Sequence, residues 1–289
     1  MDLLSPKHFP DYELIDCGNF EKLERFGKYI TIRPEPQALW DKKLSATEWD
    51  NQAHVRFLAN SSYAGSWKKL KPMPDSWLIS YPLKGHTLNF KLALTAFKHV
   101  GIFPEQASHW DYIYDKVSAF KVFTPKVLNL FAYTGGASLA AKAAGADVVH
   151  LDAIRQVVSW AKENMEKSNL KDIRWLIEDA MKYVKREIKR GTKYHGIILD
   201  PPAYGHGPNK EQWKLEDNIN EMVKGVLELL DEKQYFIILN TYSLGFSSLI
   251  MENLLSREMG DLRIGELYLQ AKEGSKLPLG VFGRLSKGL

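Results

Sequence analysis

The chain reads as an α/β protein, a Rossmann-like, doubly wound and mainly parallel sheet preceded by a small β-rich module. Three observations carry that reading. From about residue 101, short apolar runs alternate with helical patterns of about 10–15 residues, as strands joined by crossover helices do. The first of these runs, Val127–Leu128–Asn129–Leu130–Phe131, passes through Ala132–Tyr133–Thr134–Gly135–Gly136 into an Ala-rich segment. A strand, a Gly turn and a helix in that order present backbone N–H groups to a nucleotide-like ligand. Lastly, four successive strands each end on Asn or an acid: Asn129, Leu151–Asp152, Glu178–Asp179 and Leu199–Asp200.

The elements follow in order. Residues 1–95 are expected to form the small module and 96–289 the larger domain. The front part carries β-branched and aromatic runs at Tyr12–Ile15, Lys28–Ile32 and Trp77–Tyr81. Breaks fall at Cys17–Gly18–Asn19, Pro34–Glu35–Pro36 and Pro72–Met73–Pro74–Asp75, so an antiparallel β module is expected. Leu88, Leu92, Thr95, Ala96 and His99 share one side of a helix over 88–100. Beyond it, strands are expected at 126–131, 147–151, 173–177, 195–200, 235–240 and 264–270. Helices are placed between them at 136–144, 153–168, 179–190, 216–231 and 246–258. Such crossovers put a ligand cleft at the carboxyl ends of the strands, where all four polar markers lie.

Composition narrows the class. The 289 residues are 45% apolar, enough for one full core and a smaller module. A net charge of +4, from 39 basic and 35 acidic groups, permits a nucleic-acid partner without demanding one. The single cysteine, Cys17, excludes an internal disulfide and a Cys-cluster zinc site, and no metal is expected. No signal pattern or membrane-length apolar run occurs, so a soluble cytoplasmic protein is expected.

The candidate site is built on the strand ends. Thr134–Gly135–Gly136 removes side chains where a ligand approaches closely, unless it is a tight turn chosen for packing. No GxGxxG or GxxxxGK[ST] pattern is present, which weakens the dinucleotide and NTP readings. Asp152 can accept from two ribose hydroxyls or cap the helix starting at Ala153. Asp179 can meet an adenine amino group or cap the helix it opens. In Asp200–Pro201–Pro202–Ala203–Tyr204 the prolines fix the path out of the strand. That holds a carboxylate and a carbonyl beside an aromatic ring, which resembles the loop that holds an amino group for methylation in adenine- and guanine-modifying enzymes; the rival reading is a plain strand-ending turn. These markers together suit S-adenosylmethionine (SAM).

The run Leu128–Gly136 with Asp152, Asp179 and Asp200–Tyr204 resembles the class I SAM-dependent methyltransferases. More closely, the chain resembles the bacterial large-subunit rRNA methyltransferases that make 5-methylcytosine or 7-methylguanine. The likeness includes Gly101–Ile102–Phe103–Pro104–Glu105–Gln106, Leu23–Glu24–Arg25–Phe26–Gly27 and Ile32–Arg33–Pro34–Glu35–Pro36. It implies SAM as cofactor, held by Phe103, Glu105, Gln106, Asn129, Phe131, Tyr133, Thr134, Gly135, Asp152, Ala153, Asp179, Ala180 and Asp200. Asp200, Pro201, Pro202 and Tyr204 would act on the acceptor, and rRNA is the implied partner, with a homodimer admitted. The family's Arg after the Gln is Ala107 here, and no PUA module is expected.

Chemistry at cytosine C5 needs a thiolate, which relatives place just after the strand ending here at Leu239–Asn240. This chain has Thr241–Tyr242–Ser243 there, and Cys17 reads as a small buried residue, so direct transfer to a base nitrogen is expected. A small-molecule or protein acceptor, or a non-catalytic SAM- or RNA-binding role, are the rival readings. Lys182, Lys185, Arg186, Lys189, Arg190 and Lys193 form a basic helix stripe that either meets phosphates or is simply solvated. Lys68, Lys69 and Lys71 beside Trp67 form a second basic cluster. The polar segment 205–214 reads as a mobile, substrate-contacting loop, with His206 an exposed loop residue.

Overall fold

A computed structural model describes residues 1–60, 64–243, 245–256 and 258–289. The chain divides into two units. One comprises Met1–Leu4, Gln106–Leu267 and Gly280–Leu289, and the other Ser5–Glu105 and Tyr268–Leu279. A short strand β1 (Asp2–Leu4) opens the first unit.

In the second unit, β2 (Tyr12–Gly18), β3 (Glu21–Phe26), β4 (Tyr29–Pro34), β5 (Val55–Ala59) and β6 (Gly65–Lys69) form one sheet in sequence order. The helix α1 (Ala46–Gln52) interrupts it, and β7 (Ser76–Leu83) and β8 (His86–Ala93) form a separate antiparallel hairpin. The unit is β-rich as expected, but β4 and β5 run parallel, so its sheet is mixed. Its interior is partly ionic. Arg33 Nε donates to Glu24 Oε2 at 2.8 Å and Tyr12 Oη to Glu24 Oε1 at 2.9 Å. Glu24 and Arg33 come from the two front segments that carry the family likeness, and here they hold a sheet interior together. Cys17 is fully buried, and burial pushes its thiol up to about 12, so it is an inert packing residue.

The helix expected over 88–100 is instead the strand β8. Leu88, Phe90 and Leu92 are buried while their neighbours are not, the alternation of a half-covered strand. Leu88 and Leu92 are in phase for both periods, and Phe90 between them breaks the tie toward two.

The first unit is built from α2 (Ala107–Ala119), β9 (Lys126–Leu130), α3 (Gly136–Ala143), β10 (Asp147–Asp152), α4 (Arg155–Lys167), β11 (Ile173–Ile177), α5 (Ala180–Lys189), β12 (Gly196–Leu199), β13 (Tyr204–His206), β14 (Gln212–Lys214), α6 (Leu215–Glu228), β15 (Tyr235–Thr241), α7 (Ser248–Leu255), β16 (Asp261–Gln270) and β17 (Lys276–Lys287). The last two strands extend into residues of the other unit. The sheet order is β1-β16-β17-β15-β12-β9-β10-β11, with β9 to β12 and β15 parallel and β17 antiparallel to β15. Alternate residues of β9 face opposite sides. Leu128 and Leu130 pack with residues of α5, α6 and α7, whereas Asn129 reaches Ser138 on α3, so helices cover both faces.

Candidate active site

Chain order reverses beside β9, whose neighbours are β10 on one side and β12 on the other. At such a switch point the connections leave in opposite directions and open a crevice at the carboxyl ends of the strands. Residues 131–135 leave β9 there, Asp152 ends β10, Glu178–Asp179 follow β11, and Asp200 follows β12.

The loop after β9 is strained and pinned. Phe131, Tyr133 and Gly135 have φ of 57°, 49° and 94°, so alternate residues sit in the left-handed region. Two of them carry side chains, a cost that persists only where surroundings over-determine the backbone. The pins are visible. Ala132 N donates to the Leu151 carbonyl at 3.1 Å, Tyr133 N to Asp152 Oδ2 at 2.9 Å, and Asn164 Nδ2 on α4 to the Thr134 carbonyl at 3.0 Å. Gly135 caps α3 with no side-chain acceptor, which leaves that helix start open to an anionic ligand group. Gly136 is required by packing, because a Cβ there would lie 2.6 Å from the Trp110 ring.

Asp152 does not cap α4, which starts at Arg155 after Ile154 with no side-chain cap. Its carboxylate instead joins two loops, taking the Tyr133 and Ile154 amides, the latter at 3.0 Å on Oδ1. Burial raises its pKa above the ordinary carboxylate range, and the amides of Ile154, Tyr133 and Ala153 pull it back. Asp179 does cap its helix, accepting from Lys182 N at 2.8 Å, with Ala180 buried behind it. Asn129 is buried, and its Nδ2 donates to Ser138 Oγ at 2.9 Å, which in turn meets His150 Nδ1 at 3.0 Å. Phe103 and Glu105 belong to the other unit, where the Phe103 ring lies 5.0 Å from His99.

Asp200 is the most perturbed carboxylate of the crevice. Burial pushes it up to about 6, while a hydrogen bond from Asn240 pulls it down. Asn240 Nδ2 donates to Oδ1 at 2.7 Å and Gln106 Nε2 to Oδ2 at 3.2 Å. Beyond it, Trp213 Nε1 donates to the Pro202 carbonyl at 2.7 Å and its ring lies 4.8 Å from Phe131. The segment 205–214, expected to be a mobile loop, is instead the hairpin β13–β14, closed by the amide of Gly207 on the Glu211 carbonyl at 2.7 Å. Tyr204 stands on it 46% exposed, its hydroxyl 3.1 Å from His206 Nε2. Sequence reasoning passed over Trp213, Asn240 and Gln106's contact with Asp200. An Asn near the end of a fifth strand was the signal available for Asn240.

The basic stripe of α5 is largely consumed. Lys182 pairs with Glu211, Lys185 with Glu221, Arg186 with Glu178 and Arg190 with Glu187, and Lys193 Nζ reaches the Glu228 carbonyl. In the other unit, Lys69 pairs with Asp75 and Trp67 Nε1 donates to the Thr95 carbonyl. Among the described residues no three metal-ligating side chains gather, and no helix is long and apolar enough to cross a membrane.

The carboxyl ends of the strands thus carry a strained loop, a helix start without a side-chain cap, and carboxylates after successive strands. The profile of the S-adenosylmethionine-dependent methyltransferases matches residues 52–270. A SAM-dependent methyltransferase structure from Agrobacterium tumefaciens is 37% identical with a TM-score of 0.91, covering 100% of this chain and 94% of that one. Methanocaldococcus jannaschii Trm5, solved with adenosine, shares the fold at 14% identity and TM-score 0.53, over 96% of this chain and 74% of that one. The ribosomal RNA large subunit methyltransferase K/L of Shewanella frigidimarina is 31% identical over 155 residues, which is 52% of this chain. The chain spans only 21% of that relative's length. With profile and fold in agreement, the chain belongs to the S-adenosylmethionine-dependent methyltransferase family.

Proposed function

We propose that this protein methylates a base nitrogen of ribosomal RNA by direct transfer, without a covalent enzyme intermediate. SAM supplies an electrophilic methyl group, so the chain's own residues have mainly to bind, orient and manage one proton. The open amides of α3 and the loop 131–135 suit the carboxylate end of the cofactor. Asp152 keeps lone pairs for ribose hydroxyls, and Asp179 keeps one oxygen for the adenine amino group. Ala153 and Ala180 present small side chains beside them. Asp200 and the Pro201 carbonyl hold the acceptor nitrogen, and Tyr204 stacks on its ring.

One observation carries this reading. Asp200 is a half-buried carboxylate pushed up to about 6 by loss of solvent, beside the rigid Pro201–Pro202 turn and an exposed aromatic. Such a group is ionised at neutral pH yet basic enough to accept the proton an amine sheds. Covalent chemistry at C5 is disfavoured because the chain's single thiol, Cys17, is buried and raised to about 12. The rRNA acceptor rests on the name of the Shewanella relative and on the sequence likeness. A protein or small-molecule acceptor is favoured by one feature, the neutralised stripe on α5.

The test is incubation with radiolabelled SAM and separately with large-subunit rRNA, a protein extract and a small-molecule extract. Label should enter RNA, survive in Cys17→Ser and vanish in Asp200→Ala. Asp152→Ala should weaken S-adenosylhomocysteine binding by about 1–3 kcal/mol in calorimetry, while Asp200→Ala leaves it near native. Label in protein or small molecules alone overturns the RNA acceptor. Full activity of Asp200→Ala removes that residue from the mechanism.

A further inference from the structure

Three elements converge behind Asp200 in an arrangement that neither its motif nor the family match accounts for. Asn240 is the next-to-last residue of β15, Arg284 lies on the neighbouring strand β17, and His109 lies on the first turn of α2. All are buried: Asn240 is 1%, His109 2% and Arg284 8% exposed. Arg284 donates to His109 Nδ1 from both Nε (3.0 Å) and a terminal nitrogen (2.7 Å), and that terminal nitrogen also reaches the Ser108 carbonyl at 2.8 Å. Its guanidinium lies over the rings of Tyr112 and Phe282, 4.5 and 5.2 Å from their centroids, with no carboxylate within ion-pair distance among the described residues.

The tautomer follows from these contacts. A guanidinium only donates, so Nδ1 of His109 must accept and the proton must sit on Nε2. Burial and the Arg284 charge keep the imidazole neutral. Neither His109 Nε2 nor Asn240 Oδ1 has a hydrogen-bond partner, so a buried donor and a buried acceptor both stand open, and Asn240 is the polar side chain that acts on the imidazole. The Asn240 NH2 donates to Asp200 Oδ1 at 2.7 Å, which leaves the amide oxygen as the acceptor available to the imidazole N–H. An amide is otherwise free to present either end, and the wrong end would set an oxygen against a carboxylate.

We propose that His109, locked by Arg284, is a positioning residue that fixes the Asn240 amide and thereby the ionisation of Asp200. The relay runs Arg284 to His109 to Asn240 to Asp200. Gln106 alone among the other described groups donates to that carboxylate. The further charges acting on Arg284 are Asp2, Asp111 and Arg263; none of them acts on Asp200, whose shift comes from burial and Asn240 alone. This deepens the proton-accepting role given to Asp200 above, and rests on that reading only for its consequence in transfer.

The experiment reads the carboxyl directly and needs no acceptor. In full-length protein labelled with 13C-carboxyl aspartate, Asp200 is assigned by its loss in Asp200→Asn and titrated by NMR. His109→Phe should move its midpoint up by about one pH unit, because the carboxylate loses an aligned donor. His109→Gln, whose amide nitrogen reaches the Nε2 position, should restore the native midpoint. His109→Asn reaches only the Arg284 side, so it should behave like His109→Phe and serves in its place if that variant does not fold. In an Asn240→Leu background the His109 substitutions should change nothing further, as expected for one pathway. A native midpoint in a folded His109→Phe or His109→Asn, or an undiminished shift in the Asn240→Leu background, overturns the relay. Loss of RNA methylation with the relay's titration intact would instead overturn only the proposed acceptor.

Discussion

Asp200 illustrates how one side chain can cost stability in order to be useful. Its pKa in the folded chain, about 6, lies above the ordinary carboxylate value, because burial disfavours the charge. The sign follows from proton counting. Between the two pKa values the folded chain holds more protons than the unfolded one, so stability present at low pH is lost as pH rises through about 6. Asp200→Asn mimics the protonated group at every pH. It should raise the thermal midpoint at pH 8, with a gain of up to about 3 kcal/mol reduced by the partial solvent contact of the group, and converge with native protein near pH 4. Differential scanning calorimetry across that range checks it. A constant offset at all pH values would mean the carboxylate is not strained by burial. The same substitution should abolish transfer, the usual exchange of stability for function at an active site.

At the scale of elements, strands β9, β10, β11, β12 and β15 and helices α3 to α7 lie within a few residues of the sequence expectation. Short apolar runs bounded by turn residues, with helical periods between them, were sufficient there: β12 is only four residues long but is buried throughout and flanked by polar residues. The misreadings have local causes. Leu88 and Leu92 fit two periods, and the hairpin β13–β14 owes its order to Trp213 Nε1 on the Pro202 carbonyl, a contact between residues 11 apart. The strand-end acids of the site were legible, whereas Asn240, His109 and Arg284 were not, since their roles depend on pairing β15 with β17 and packing α2. The stripe on α5 was legible as charge but not as paired charge. A triple Lys182→Ala, Lys185→Ala, Lys189→Ala variant should therefore change affinity for an rRNA fragment less than about threefold. Its slope of log affinity against log salt should match native protein, where each lost phosphate contact would lower it by about 0.9 on duplex. Filter binding across salt concentrations measures both quantities, and a shallower slope would return the helix to the RNA interface.

At the scale of the whole molecule, the chain crosses between its two units more than once, which a single boundary at residues 95/96 does not express. Met1–Leu4 belongs with the first unit, as β1 pairs in parallel with Gly265–Leu267 of β16. Residues 268–279 belong with the second, where Lys272 N donates to the Leu14 carbonyl at 2.9 Å and Leu269, Leu277 and Leu279 are buried. A fragment of residues 96–289 would thus keep the crevice residues after β9, β10, β11 and β12 yet lose the surroundings of that tip and the strand β1. Three exposed leucines forfeit about 1.5–3 kcal/mol each, a total comparable with the ~5–15 kcal/mol that holds an ordinary domain. The fragment should therefore melt well below the full chain, bind a hydrophobic dye such as ANS, and recover only when Leu269, Leu277 and Leu279 are all replaced by polar residues. A fragment that melts cooperatively at the native midpoint without those changes would show that 96–289 is a self-sufficient domain and that the return of 268–279 to the front unit contributes nothing to its stability.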